Sequence, residues 1–198
     1  MGQDLATIHS ALAVELNWAS QQVFDVLGAW AGEVDNAAVA VSMATTSRHL
    51  SWHVADLDEL MTKTEADEEI SVETTKEGEA SETEPVPLHP EVTAAFHTIR
   101  AIPGTLERLA IGHRVLLPRL AVECVLLERT TKPDEETDPV VVIASALLGD
   151  LRRDRDDGEV LLSRLIGDAA TAQRVGERVV EAERRIVSCG GLTTITLP

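Results

Sequence analysis

Four stretches of the chain carry apolar side chains alternately three and four residues apart, and this spacing constrains the fold more than any other feature. Residues 4–31 place Leu5, Leu12, Leu16, Ala19, Val23, Val26 and Trp30 on one stripe. Residues 36–62 do so with Val39, Met43, Thr46, Leu50, His53, Leu57 and Leu60. Residues 105–129 use Leu106, Leu109, Leu116, Leu120 and Leu127, and residues 139–166 use Ile143, Leu147, Leu161 and Leu165. A 3.6-residue period puts each set on one helical face, and each face needs another helix to cover it. Aromatic residues make up 3% of the chain and Tyr is absent, so the core must be built from Leu, Val, Ile and Ala. Those residues suit helix–helix seams better than sandwiched sheets, and the expected class is all-α.

The connections set the topology. After Gly32 the turn "GEVDN" is short enough to force the first two helices antiparallel. Asp4 is a plausible N-cap for the first, and Gly32 its stop. Residues 63–90 are polar, acidic and closed by three prolines, which predicts a disordered linker. Residues 91–187 would then hold a short helix with Val92, Phe96 and Ile99 inward, the second long pair and a shorter fifth helix. Pro118 falls inside the third long helix and should kink it, because its ring clashes with the carbonyl of Arg114. Asp138-Pro139 reads as an N-cap followed by proline at the first helical position. The fifth helix, about 169–187, has the weaker stripe Ala172, Val175, Val179, Ala182 and Ile186, and 188–198 reads as a flexible tail. Residues 1–62 thus form one helix pair, separated from the rest by the acidic segment.

Net charge is −17, and residues 64–84 alone supply −8 of it through nine carboxylates against Lys76. Such a surface repels nucleic-acid phosphates and anionic membranes. No run of 18 apolar residues exists to span a bilayer, and "MGQDLATIHSAL" lacks the basic-then-apolar pattern of a signal peptide. Ala6 stands where a myristoylation motif needs Ser or Thr. Cys124 sits in an apolar run and Cys189 in a Gly-flanked tail, so a buried thiol and a loose one in a reducing cytoplasm are expected. Gly-rich phosphate loops, nucleophile elbows and Cys-x-x-Cys pairs are missing from the sequence, and "DLRRDRDDGE" has calcium-loop residues at the wrong positions.

Helices of this length packed side by side meet near residues 17, 49, 117 and 152. Ionisable residues near those levels are the site candidates: Glu15 on the first helix, His49 and His53 on the second, and Asp150, Arg153 and Asp154 on the fourth. His113 and Glu123 on the third are further candidates, although ten residues separate them by about 15 Å along a helix. His53 shares its stripe with Leu50 and Leu57, so it is expected to point inward and to bond a polar group on another helix, Asp150, Asp154 or Glu15.

In helix number, helix length, long central connection and mid-height polar residues, residues 4–166 resemble the ferritin-like superfamily. The half containing "HPEVTAAFHTIRAIPGTLERLAIGHRVLLPRL" is also similar to uncharacterised ferritin-like proteins of high-GC bacteria. The resemblance implies a four-helix bundle with a long central connection and a fifth C-terminal helix. It also implies a di-iron or di-manganese site, built from one Glu on each of two helices and Glu-x-x-His on each of the others. This chain departs from that ligand set: Leu50 precedes His53 by three, Thr46 precedes His49, and Arg153 follows Asp150 where a His would stand. A guanidinium offers no lone pair to a metal, but it can supply the charge that a metal would. The expectation is therefore a degraded di-metal site without Fe or Mn, in which arginines balance buried carboxylates, at a cost of about 3–5 kcal/mol if Arg153 is removed.

The expected function is non-catalytic binding or assembly, with protein partners on the bundle surface or the acidic linker and a homo-oligomer open. The alternatives are a metal-dependent oxidase or oxygenase with an atypical ligand set, and an apolar small-molecule binder near Trp52 and His53.

Overall fold

The computed structural model describes residues 5–70, 90–130 and 138–192, and every regular element among them is helical. They are α1 (Leu5–Glu33), α2 (Ala37–Ile70), α3 (Pro90–Arg100), α4 (105–130), α5 (Pro139–Leu165) and α6 (Ala169–Ser188). The expected cap at Asp4, the linker residues 71–89, the loop 131–137 and the tail 193–198 lie outside the described residues. None of the described helices is long and apolar enough to cross a membrane.

Residues 34–36 join α1 to α2, and the Asn36 side-chain oxygen accepts the amides of Ala38 and Val39, capping α2. So short a turn lays the two helices against each other. α2 packs in turn on α5, α5 on α4, and α4 back on α1, so the four long helices form a closed ring of neighbours. Its interior holds Leu12, Leu16, Val23, Met43, Leu50, Leu57, Leu109, Leu116, Leu120, Leu127 and Leu147, all essentially without solvent contact.

A corner beside the ring is closed by Trp30. It donates from Nε1 to the Arg100 carbonyl at 3.0 Å, while the Arg108 guanidinium lies 5.8 Å over its ring. Arg108 also donates to the Ile102 carbonyl and pairs with Glu33, so α1, α3 and the start of α4 are tied at one point. α6 lies across α3 and the first part of α4, burying Val175, Ala182 and Ile186. Its cap is Asp168, which accepts from the Thr171 amide. Gly190 and Gly191, at φ 93° and 115°, end it, and Gly191 N–H returns to the Ile186 carbonyl.

Several expectations are corrected. α2 runs to Ile70 rather than stopping at Thr62, because no glycine or proline interrupts a Glu-rich stretch there. The tail is anchored at its start, where Leu192 is fully buried. Cys189 is not loose either: it is partly buried and donates to the carbonyls of Arg185 and Ile186. On α5 the buried face follows Leu147, Leu151, Asp154, Gly158 and Leu162, so Leu161 and Leu165 lie at the boundary instead of inside. The helix is rotated to bury Asp154, and Asp150 is left nearer the edge.

Pro118 does interrupt α4, but one turn upstream and by widening it. Residues Thr105–Ile111 are α-helical, Gly112–Leu116 form a π-helical turn, and Leu117–Thr130 return to α geometry. The Leu117 amide reaches back five residues to Gly112. Proline lacks an amide proton and crowds the preceding turn, and one wide turn absorbs both defects without ending the helix.

Candidate functional site

Two histidine–aspartate pairs bridge α2 and α5 on successive turns. His49 Nδ1 donates to Asp154 at 2.9 Å (Oδ2) and 3.1 Å (Oδ1), and His53 Nε2 donates to Asp150 Oδ2 at 2.9 Å. Ionised carboxylates only accept, so the imidazoles carry the protons of these bonds. The helices run antiparallel, and four residues forward on α2 matches four back on α5. A spacing of four keeps both pairs on one seam. Asp154 is 6% exposed and His53 8%. The inward direction expected for His53 is therefore seen, and its partner is one of the three carboxylates named for it.

Arg153 is where the expectation fails. It donates to Asp150 Oδ1 at 2.7 Å, yet its side chain is 65% exposed. It caps the edge of the ladder from solvent and does not balance charge inside the core. Burial pushes Asp150 up, but the bonds from His53 and Arg153 outweigh it and hold the carboxyl below the usual range. Asp154 takes its hydrogen bond from His49 and not from an arginine, because the rotation of α5 turns Arg152 and Arg155 outward.

His113 stands next to this ladder, in the π turn of α4. It is 1% exposed, and its Nε2 lies 3.4 Å from the Ser42 hydroxyl of α2. Its ring fills the space where Gly158 of α5 has no side chain. Burial depresses its basicity, partly offset by the Asp154 and Glu159 carboxylates. Outside it, Arg114 clamps Glu159 through two bonds of 2.6 and 2.7 Å. Residue 113 was a candidate from the sequence; Ser42 and Gly158 were missed. A glycine in a helix pattern permits close approach but does not mark it, since Gly149 on the same helix faces open space.

Glu15 on α1 and Glu123 on α4 are each 7% exposed, as their stripes predict. Among the described residues, no group of three or more His, Cys, Asp or Glu is arranged to hold a metal ion. The paired residues do not fit the ligand set of a di-metal centre. Both oxygens of Asp150 and both of Asp154 are engaged by His53, Arg153 and His49. The ladder draws on two helices, whereas that ligand set draws on four. What the arrangement does chemically is fix the rotation and axial register of α2 against α5 through bonds made in a largely dry seam.

Trp52 is 54% exposed, stacked under Arg48 and tilted against His49. Cys124 is buried, and burial pushes its thiol up to about 12, so it is an inert core residue. No family model, curated protein or solved structure matches this chain.

Proposed function

We propose that the chain is a ferritin-like four-helix bundle, with a long connection between its helix pairs and a further C-terminal helix. In this reading the mid-height polar residues hold helices together, and the protein acts by non-catalytic binding or assembly. The closed ring of α1, α2, α5 and α4 and the short α1–α2 turn support the architecture. The observation that carries the function is the ladder itself: both oxygens of Asp154 and both of Asp150 accept from His49, His53 and Arg153, so the carboxylates that would bridge a metal bind protein donors instead. A cytoplasmic setting suits the chain, whose two cysteines are both thiols.

Metal analysis tests this. Protein produced in iron- and manganese-supplemented medium, and protein titrated anaerobically with Fe(II), should hold far less than one ion per chain. Near-stoichiometric Fe or Mn, lost on His53→Leu, would overturn the reading in favour of an oxidase.

A further inference from the structure

A groove of about 380 Å³ runs between α4 and α5 on the outer side of the ring. Its floor is apolar: Leu117, Val122 and Val125 from α4, and Leu148 and Leu151 from α5. Val122 is 52% exposed, so the groove keeps accessible apolar surface at its rim. The α4 side extends from Leu117 to Arg129, about three helical turns or roughly 18 Å at 1.5 Å per residue.

The charge at its rim runs against the rest of the molecule. Acidic residues outnumber basic ones 34 to 17 over the whole chain, yet among the described residues no Asp or Glu lines this groove and three arginines do. Arg129, Arg152 and Arg155 make no ion pair among the described residues. The carboxylate that acts on Arg155, Glu159, is already clamped by Arg114. An open apolar channel between two antiparallel helices, edged by guanidiniums that make no ion pair among the described residues, has the shape and charge of a helix-receiving groove. A second copy of this chain would offer the same three arginines, and like charges oppose that symmetric pairing.

We infer that the α4–α5 groove docks an amphipathic helix of a partner protein whose apolar stripe is flanked by Asp and Glu. The inference rests on the binding reading above and names its partner class. The apolar stripe, at i, i+3 or i+4, and i+7, seats on the accessible lining residues Pro118, Ala121, Val122, Val125 and Leu126. The flanking carboxylates meet Arg129 at one end and Arg152 and Arg155 on the opposite wall. Since most of the surface is acidic, the same charges that attract such a helix here repel it elsewhere, which gives it one orientation and one site.

Two synthetic helical peptides test the inference. They share one leucine stripe, flanked by Glu in one and Lys in the other, and are titrated against the full chain by fluorescence anisotropy. The Glu peptide should bind at least about tenfold more tightly. Arg152→Glu combined with Arg155→Glu should reverse that preference, and Val122→Glu should abolish binding of the Glu peptide. Both variants change exposed positions, and unchanged circular dichroism would show that they fold. Failure of the Glu peptide to bind, or equal affinity for both peptides, overturns the inference. So does a wild-type dimer that Val122→Glu dissociates, or a groove that takes dodecanoate and neither peptide. Metal uptake with intact peptide binding would defeat the non-catalytic reading alone, and silent peptides on metal-free protein would defeat this inference alone.

Discussion

Replacing Gly158 by alanine should destabilise the protein, although the same change elsewhere on α5 should stabilise it. The β-carbon of an alanine at 158 would lie 2.2 Å from Cγ of His113 and 2.4 Å from its Nδ1 and Cδ2. Carbon–carbon contacts are optimal near 3.5–4.0 Å, so the ring, the helix or both must move. The ring is 1% exposed and held between α2, α4 and α5, so little room exists for it to move into. Overpacking of this kind costs about 1–3 kcal/mol, and an overlap with three ring atoms belongs at the upper end. Alanine recovers about 1 kcal/mol over glycine in a helix interior. The net loss is about 2 kcal/mol, or roughly 4–8 °C in Tm for a chain of this size. Gly149 lies on the same helix with nothing within 4 Å of its would-be β-carbon, so Gly149→Ala should gain up to about 1 kcal/mol. Urea unfolding followed by far-UV circular dichroism measures both. A double-mutant cycle then identifies the cause: in a His113→Ala background the ring is gone, and Gly158→Ala should no longer cost anything. Equal stabilisation by the two alanines in the wild-type background would refute the reasoning.

Three further outcomes follow from the ladder and its neighbour. His49→Ala strips a 6%-exposed carboxylate, Asp154, of its donor and should cost about 2 kcal/mol in urea unfolding, whereas Arg153→Ala removes a 65%-exposed guanidinium and should cost less than about 1; the reverse order would return the charge balance to arginine. His53→Leu should fold and stay within about 1 kcal/mol of wild type by the same assay, because Asp150 keeps Arg153 and can face water; a loss several times larger would give the buried pair an energetic role. Stability should also fall as pH drops below 6.5, the ordinary histidine value: burial lowers His113 in the fold, so the unfolded chain takes the proton first, and the contribution present above 6.5 is lost toward the depressed value. His113→Leu should flatten that window and leave the loss below the ordinary values of Asp150 and Glu159, 3.8 and 4.5, which stems from their lowered carboxyls. An unchanged slope just below pH 6.5 in the variant would assign the loss to another group.

The helices could be read from the chain because the signals for them are local. The stripes through Leu12–Trp30, Val39–Leu57 and Leu109–Leu127 place these residues on buried faces, and Asp138, read as a cap, accepts the Val140 amide two residues on. The inward direction of His53 belongs to the same class, since its leucine neighbours cannot be buried without it. Three things were decided only in the packed molecule. The first is the rotation of α5, which buried Leu162 with Asp154 and left Leu161 at the boundary. An apolar helical face spans about 100°, the angle between adjacent residues, so periodicity cannot choose between neighbours. The second is the pairing of His49 with Asp154 and of His53 with Asp150, which needs the axial register of two helices about a hundred residues apart in sequence. The third is the route taken around Pro118: the sequence requires an interruption, but a kink and a π turn both satisfy that requirement. The turn is seen where His113 packs against Gly158, with Ser42 beside the ring. A local pattern determines which residues share a face. Only the fit of one face against another determines how far each helix turns and slides, because that fit is a property of side chains from distant parts of the chain.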